Sequence, residues 1–385
     1  MSLCSDLDGD LKRLAERGLL RTRRVLQSPQ RAHVKVDGKN YISFASNDYL
    51  GLADHPRLIE AAREGAELWG VGSGASHLVC GHHAAHEALE DALAKFVSTP
   101  RALLFSTGYM ANIGIITALM GRGDAVFADR LNHASLNDAV VLSRADFNRY
   151  PHRDVEALDR LLAQSHAKRK LIASDAVFSM DGDIAPVQSL VELAERHDAW
   201  LLLDDAHGFG VLGAQGCGTL SHFQVRSPRI INMATLGKAG GVFGAFAAAE
   251  NDVVETLIQR ARTYIYTTAT PPMLAHALLE SLDLIRVEEW RRLKLIGLIR
   301  QFKSGLRMRK FRLLLSDTAI QPIVIGGNAD VIAASAALLK DGILVPAIRP
   351  PSVPKGEARL RVSLSAAHSS DDVERLVGSL HGVEH

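Results

Sequence analysis

The 385-residue chain is short of cysteine and of net charge, and each shortage closes off a class of protein. Its three cysteines, Cys4, Cys80 and Cys217, are odd in number and widely spaced, so neither a disulfide framework nor a Cys-rich zinc site is indicated. Lys and Arg total 44 against 43 Asp and Glu. That balance leaves no basic footprint for nucleic acid or for an anionic membrane surface. No apolar run approaches the roughly 20 residues of a membrane span. The start, MSLCSDLDGDLKRLAERG, is charged throughout and lacks a signal-peptide core. No nucleic-acid or membrane partner and no metal site are therefore expected, and the composition is that of a cytoplasmic enzyme. What the chain does have is 47% hydrophobic residues, enough to exclude disorder. Its length suits one large domain, or a large one with a smaller one attached.

Short apolar runs alternate with amphipathic stretches. Helices are predicted over 54–69, with Asp54 as N-cap and Pro56 in the first turn, and over 83–97, with Leu89, Leu93 and Phe96 on one face. Strands are predicted at 102–105, 125–128, 170–174, 200–203, 230–234 and 244–248. Several of these are apolar throughout, as strands are when helices cover both faces of a parallel sheet. After Pro271-Pro272 a long Leu- and Arg-rich stretch to about residue 310 reads as helical. Beyond it the pattern changes to strands at 321–325, 343–348 and 358–364, with helices at 330–340 and from Ser370 onward. The division expected is a segment 1–50, a large α/β domain 51–290 and a small α+β domain 291–385. No internal repeat is evident.

Five strand ends carry polar residues. Strand 200–203 runs into Asp204-Asp205-Ala206-His207-Gly208, and acids beyond the carboxyl ends of such strands are well sited to act on a ligand. They serve equally well as solvated or capping groups, and spacing does not choose between them. Strand 230–234 runs into Thr235-Leu236-Gly237-Lys238, where a lysine beside glycine leaves room for a carbon electrophile to approach its amine. This Gly-Lys is no phosphate-binding P-loop, because the upstream glycine and the following Ser or Thr are both missing. The transition Ser106-Thr107-Gly108-Tyr109 offers a helix start suited to phosphate, or an ordinary N-cap. His133 follows the run 125–128, and Phe178-Ser179-Met180-Asp181-Gly182-Asp183 forms a turn-rich loop. The glycines of 70–74 follow a helix rather than a strand, which excludes a dinucleotide fingerprint.

Taken in order, seven stretches resemble the α-oxoamine synthase family of fold-type I pyridoxal 5'-phosphate (PLP) enzymes. They are Asn47-Asp-Tyr-Leu-Gly-Leu52, Gly72-Ser-Gly-Ala-Ser-His77, Ser106-Thr-Gly-Tyr-Met-Ala-Asn112, Asn132-His-Ala-Ser135, Phe178-Ser-Met-Asp-Gly-Asp183, Asp204-Asp-Ala-His-Gly208 and Thr235-Leu-Gly-Lys238. The resemblance implies an α/β, three-layer fold: a large domain with a mostly parallel sheet and a small C-terminal α+β domain. It implies PLP held covalently by Lys238, which would also move the substrate's Cα proton, and Asp204 paired with the pyridine nitrogen. His133 would lie on the ring and act as an acid toward the acyl carbonyl. Ser179 and His207 would bond the ring's 3' oxygen. Gly108, Tyr109 and Thr235 would hold the phosphate, helped by Thr268 from the second subunit of a homodimer.

The run Ile348-Arg-Pro-Pro-Ser-Val-Pro354, followed by 358–368, resembles those members that join L-alanine to a pimeloyl thioester carried by CoA or acyl carrier protein. Ser352 stands where threonine is more usual, and Cys80 where serine is. A relative using glycine or a different acyl-CoA is the nearest alternative. Arg21, Arg349, Ser352 and Arg361 are the substrate-binding residues the resemblance implies. Arg359 and Arg361 share one side of a period-two strand, so periodicity does not decide between them. A catalytically silent member of the fold would be expected to lose the lysine, and Lys238 is present.

Overall fold

The structure is a computed structural model describing residues 3–384, with side chains described from residue 6. The chain divides into two compact units. The larger comprises residues 52–179 and 184–292, and the smaller 1–51, 180–183 and 293–385. The segment 1–50 thus belongs with the C-terminal residues rather than standing alone, and it contributes the strands His33–Val36 and Lys39–Ser43.

The larger unit is built on seven strands. Their spatial order is Arg101–Phe105, Ala245–Ala249, Ile230–Thr235, Trp200–Asp204, Lys170–Asp175, Ala125–Asp129 and Asp146–Tyr150. Only Ala245–Ala249 runs against the others, pairing antiparallel with both of its neighbours. The sequence predicts six of these strands. The seventh, Asp146–Tyr150, reads Asp-Phe-Asn-Arg-Tyr and lies at the sheet edge with most of its side chains in solvent, so it carries no apolar run to read.

The central strands are apolar throughout because both of their faces are covered. Leu202, Leu171, Ala173 and Ile231 pack into one core with Ile115, Ile116 and Val254 from helices. Leu201, Leu203 and Ile172 pack into the other with Leu158, Leu162 and Leu190. Successive side chains therefore leave opposite faces of the sheet. At about 1.5–3 kcal/mol for each large aliphatic side chain buried, these runs outweigh any local preference for helix. The result is the expected three-layer arrangement.

Two boundaries differ from expectation. The helix predicted from Asp54 is Pro56–Trp69, and its N-cap is His55, whose Nδ1 accepts from the Arg57 amide at 3.3 Å. The long stretch after Pro271 is two helices, Pro272–Val287 and Glu289–Gly305, broken at Glu288.

The smaller unit holds an antiparallel four-stranded sheet in the order Arg312–Leu313, Ile320–Gly326, Ala358–Ser363, Ala347–Ile348. A three-stranded sheet joins the N-terminal hairpin to Ile343–Leu344. The run 343–348, expected as one strand, is thus shared between two sheets. The turn 180–183 is fastened here by Gly182, whose carbonyl accepts from Ser316 Oγ and Thr318 Oγ1, both at 2.9 Å. Gly182 has φ +72°, and a Cβ there would come within 2.4 Å of the Ile320 carbonyl oxygen, so both conformation and space demand glycine.

Candidate active site

In the larger unit the five strands Arg101–Phe105, Ala125–Asp129, Lys170–Asp175, Trp200–Asp204 and Ile230–Thr235 all point the same way. Their carboxyl ends deliver the candidate residues to one edge of the sheet, where ligands of open α/β folds bind.

Asp204 ends the strand Trp200–Asp204 and is 6% exposed. Its Oδ1 accepts from the Ala206 amide at 3.1 Å and its Oδ2 from Asn112 Nδ2 at 2.8 Å. Asp205 has a different task. Its carboxylate accepts from the amide of Thr219 at 2.8 Å and from the Thr219 hydroxyl, and burial pushes its pKa up to about 7. Cβ atoms built at Gly208 and Gly218 would fall 2.1 and 2.2 Å from its oxygens. Asp205 holds the chain after the strand in place, and Asp204 is the acid left for the site.

Lys238 is half-buried in the turn after Ile230–Thr235, and its Nζ donates to Thr235 Oγ1 at 3.1 Å. Thr235 also faces the helix Gly108–Leu119: a Cβ on Gly108 would lie 2.7 Å from Thr235 Cγ2. Thr107 caps this helix, accepting the Met110 amide at 3.2 Å, which leaves the amides of the first turn for an anion. Tyr109 is exposed, and its hydroxyl donates to Asp138.

His133 is the N-cap of the helix Ala134–Ser143. Its Nδ1 accepts the Ser135 amide at 3.2 Å and lies 2.7 Å from Ser135 Oγ, while its own amide donates to Asp175 Oδ2 at 2.9 Å. The ring is open to solvent on one side. The protein packed around the rest of it lowers its pKa, opposed by Asp204 and Asp138 and reinforced by Lys238. Burial, with Asp204 on the adjacent strand, raises the pKa of Asp175. Ser179 and His207, both half-buried, follow the strands ending at Asp175 and Asp204. Thr268 is exposed, between the helices Arg262–Ile265 and Pro272–Val287.

The donor set fits PLP. A buried carboxylate suits a protonated pyridine nitrogen, an amine suits an aldehyde carbon, and a helix start beside a threonine hydroxyl suits a phosphate. Asn112, Ser135 and Asp175 belong to this cluster too. Asn112 and Ser135 fall within the resemblance motifs and Asp175 outside them, but the sequence assigned none of the three a role because each reads as an ordinary helix or strand residue.

The smaller unit gathers a second set. Arg21, Arg349 and Ser352 line a groove of about 730 Å³, with Leu20, Ile332 and Leu344 among its apolar walls. Arg361 is not among the groove's lining residues. It lies in the strand Ala358–Ser363, 5% exposed, and donates to Ser363 Oγ at 2.8 Å and Asn47 Oδ1 at 3.1 Å. Arg359, on the same side of the strand, is paired with Asp181 at 2.7 Å. Both arginines are buried, so neither serves as solvent cover, and the two differ in the groups that hold them.

His77, His82 and His86 also bring ring nitrogens within 4.8 Å of one another. His86 offers no lone pair to a metal, since Nδ1 accepts the His83 amide at 3.0 Å and Nε2 donates to the Thr270 carbonyl at 2.8 Å.

Residues 39–380 match the family model of aminotransferase class I and II. The chain is 61% identical to an 8-amino-7-oxononanoate synthase of Nitrosospira multiformis, covering 97% of this chain and 94% of that one. It superposes on a serine palmitoyltransferase from S. paucimobilis, solved with a PLP adduct bound, at a TM-score of 0.93 and 30% identity over 100% of this chain and 98% of that one. An 8-amino-7-oxononanoate synthase from Francisella tularensis matches at a TM-score of 0.76 and 31% identity, over 89% and 97% of the two chains. The chain belongs to the aminotransferase class I and II family of PLP enzymes and, within it, to the 8-amino-7-oxononanoate synthases.

Proposed function

We propose that the chain condenses L-alanine with a pimeloyl thioester, releasing CO2 and the free thiol and forming 8-amino-7-oxononanoate for biotin biosynthesis. The observation that carries this reading is the meeting of Asp204, Lys238, His133 and the helix start at Gly108 on one sheet edge. PLP, when bound, supplies an electron sink for the carbanion at the amino acid's Cα. Lys238 would hold the cofactor, and its Nζ would take the proton from Cα. Asp204 would keep the pyridine nitrogen protonated. Gly108, Tyr109 and Thr235 would hold the phosphate, with Thr268 reaching the partner subunit's site in a homodimer, and Ser179 and His207 would bond the 3' oxygen. His133 would lie on the ring and donate a hydrogen bond to the acyl carbonyl.

Arg361 would take the alanine carboxylate, since a guanidinium presents two parallel donors to it. Arg21, Arg349 and Ser352 would hold the acyl donor in their groove. The cytoplasm suits a chain whose Cys80 and Cys217 are free thiols.

The deciding experiment incubates the PLP-loaded protein with L-alanine or glycine and a panel of acyl-CoA and acyl carrier protein thioesters, with products identified by mass. Alanine with the seven-carbon diacid donor should dominate, and a preference for glycine or a monocarboxylic acyl group would overturn the reading. Arg361→Leu should weaken alanine binding by about 2–4 kcal/mol, the cost of stranding one partner of a buried charged pair. Spectral titration with alanine measures it, and an unchanged affinity would remove Arg361 from the site.

A further inference from the structure

Asn112 and Ser135, both fully buried, lie between Asp204 and His133. Asn112 Nδ2 donates one proton to Asp204 Oδ2 at 2.8 Å and the other to Ser135 Oγ at 2.9 Å. Chemistry dictates this orientation of the amide, because an ionised carboxylate accepts only. With its oxygen already receiving the Asn112 proton, the Ser135 hydroxyl has His133 Nδ1, 2.7 Å away, as the acceptor for its own. The Ser135 amide points at the same nitrogen. Two donors converge on Nδ1, so it must present a lone pair, and the proton of a neutral imidazole sits on Nε2.

One cost marks this arrangement as more than packing. Asn112 Oδ1 is buried with no hydrogen-bond partner among the described residues. An unsatisfied buried carbonyl costs about 1–3 kcal/mol, and an apolar side chain at this place would not incur it. The amide gives up its oxygen to put both N–H groups where Asp204 and Ser135 need them.

We propose that Asn112 and Ser135 are positioning residues that lock His133 as its Nε2–H tautomer and tie that tautomer to Asp204. The consequence rests on the role given to His133 above. Nδ1 faces its own helix start, so Nε2 points away from it, and His133 meets a substrate as a hydrogen-bond donor and not as a base. The relay also resists formation of the imidazolium, which would place a proton on Nδ1 against the Ser135 amide. Of the charged groups around the ring, Lys238 works in the same direction, whereas Asp204 and Asp138 favour the charged ring. The Asp175 carboxylate accepts the His133 backbone amide.

The test labels the full-length protein with ¹⁵N-histidine and reads His133, identified by its absence from a His133→Gln spectrum, with and without PLP. In the wild type the ¹⁵N shifts should report a proton on Nε2, and a proton on Nδ1 overturns the proposal without any variant being made. In Ser135→Ala, checked for a native melting transition, Nδ1 keeps only the backbone amide of residue 135 as a donor, so the share of the Nε2–H tautomer should fall measurably. Its imidazole pKa should rise by about 0.5–1 unit, because a donor favouring the neutral form is gone. PLP absorbance should persist while condensation slows. Ser135→Thr, which keeps the hydroxyl, should restore the single tautomer. A folded Ser135→Ala protein with an unchanged tautomer and pKa sinks the relay. A locked tautomer in a protein that condenses no acyl thioester would leave the relay standing and sink the proposed function instead.

Discussion

The seven-stranded sheet has a cavity at its amino edge that invites comparison with the site at its carboxyl edge. The amino-edge cavity holds about 700 Å³ and is lined by Val97, Pro100, Leu220, Arg226 and Pro228. Its only thiol, Cys217, is pushed toward the neutral form by burial. Its lining includes neither a lysine nor a histidine. At the carboxyl edge an acid, an amine, an imidazole and a helix start meet, because four adjacent parallel strands, and Arg101–Phe105 one antiparallel strand further on, end on the same edge and hand the chain to short polar turns. Strand direction, not the size of the hollow, decides which end of a sheet can do chemistry.

Mutations at the two edges should separate accordingly. Lys238→Ala should abolish condensation, a loss of roughly 10³-fold or more given what a positioned proton-transfer group contributes. Near-normal single-turnover rates would show that the amine is neither anchor nor base. Asp204→Asn should bind PLP weakly and slow the reaction by about 10²–10³-fold, since a neutral amide no longer stabilises charge on the pyridine nitrogen.

Its neighbour sharpens the contrast. Asp205→Asn should turn over nearly as fast as the wild type and alter instead the pH dependence of stability. Asp205 is held near pKa 7 in the fold against an ordinary 3.8, so the folded state binds the extra proton, and stability falls as pH rises from about 4 to 7. Denaturant midpoints across that range should decline less in the variant, and a crippled but stable Asp205→Asn would exchange the roles of the two acids. At the amino edge, exposed Arg226→Ala should change stability by no more than about 0.5 kcal/mol and leave kinetics untouched. A larger kinetic effect there would break the comparison.

The sheet was legible wherever burial on both faces forced an apolar run, as in Leu201-Leu202-Leu203, and illegible at Asp146–Tyr150, where one edge meets water. Asp204 and Asp205 look alike in sequence, and partners distant in the chain tell them apart: Asn112 for the first and Thr219, fourteen residues on, for the second. Asn112 and Ser135 sit inside helices where polar residues are commonplace. What singles them out is burial and each other, and neither is written in local spacing. The groove at Arg21, Arg349 and Ser352 joins residues more than three hundred positions apart, which only resemblance could anticipate.

The strand order has a consequence for how the chain is made. Arg101–Phe105 reaches the sheet only by pairing with Ala245–Ala249, Arg101 opposite Ala249. At roughly 5–20 residues per second of synthesis, that partner emerges about 7–30 s later. Until then the edge of the early strand is unpaired, open to association with other chains. The helix bearing Asn112 follows that strand directly, and Asp204, which takes its proton, lies 92 residues further along the chain. On the ribosome, the first strand of this sheet to appear waits longest for its place.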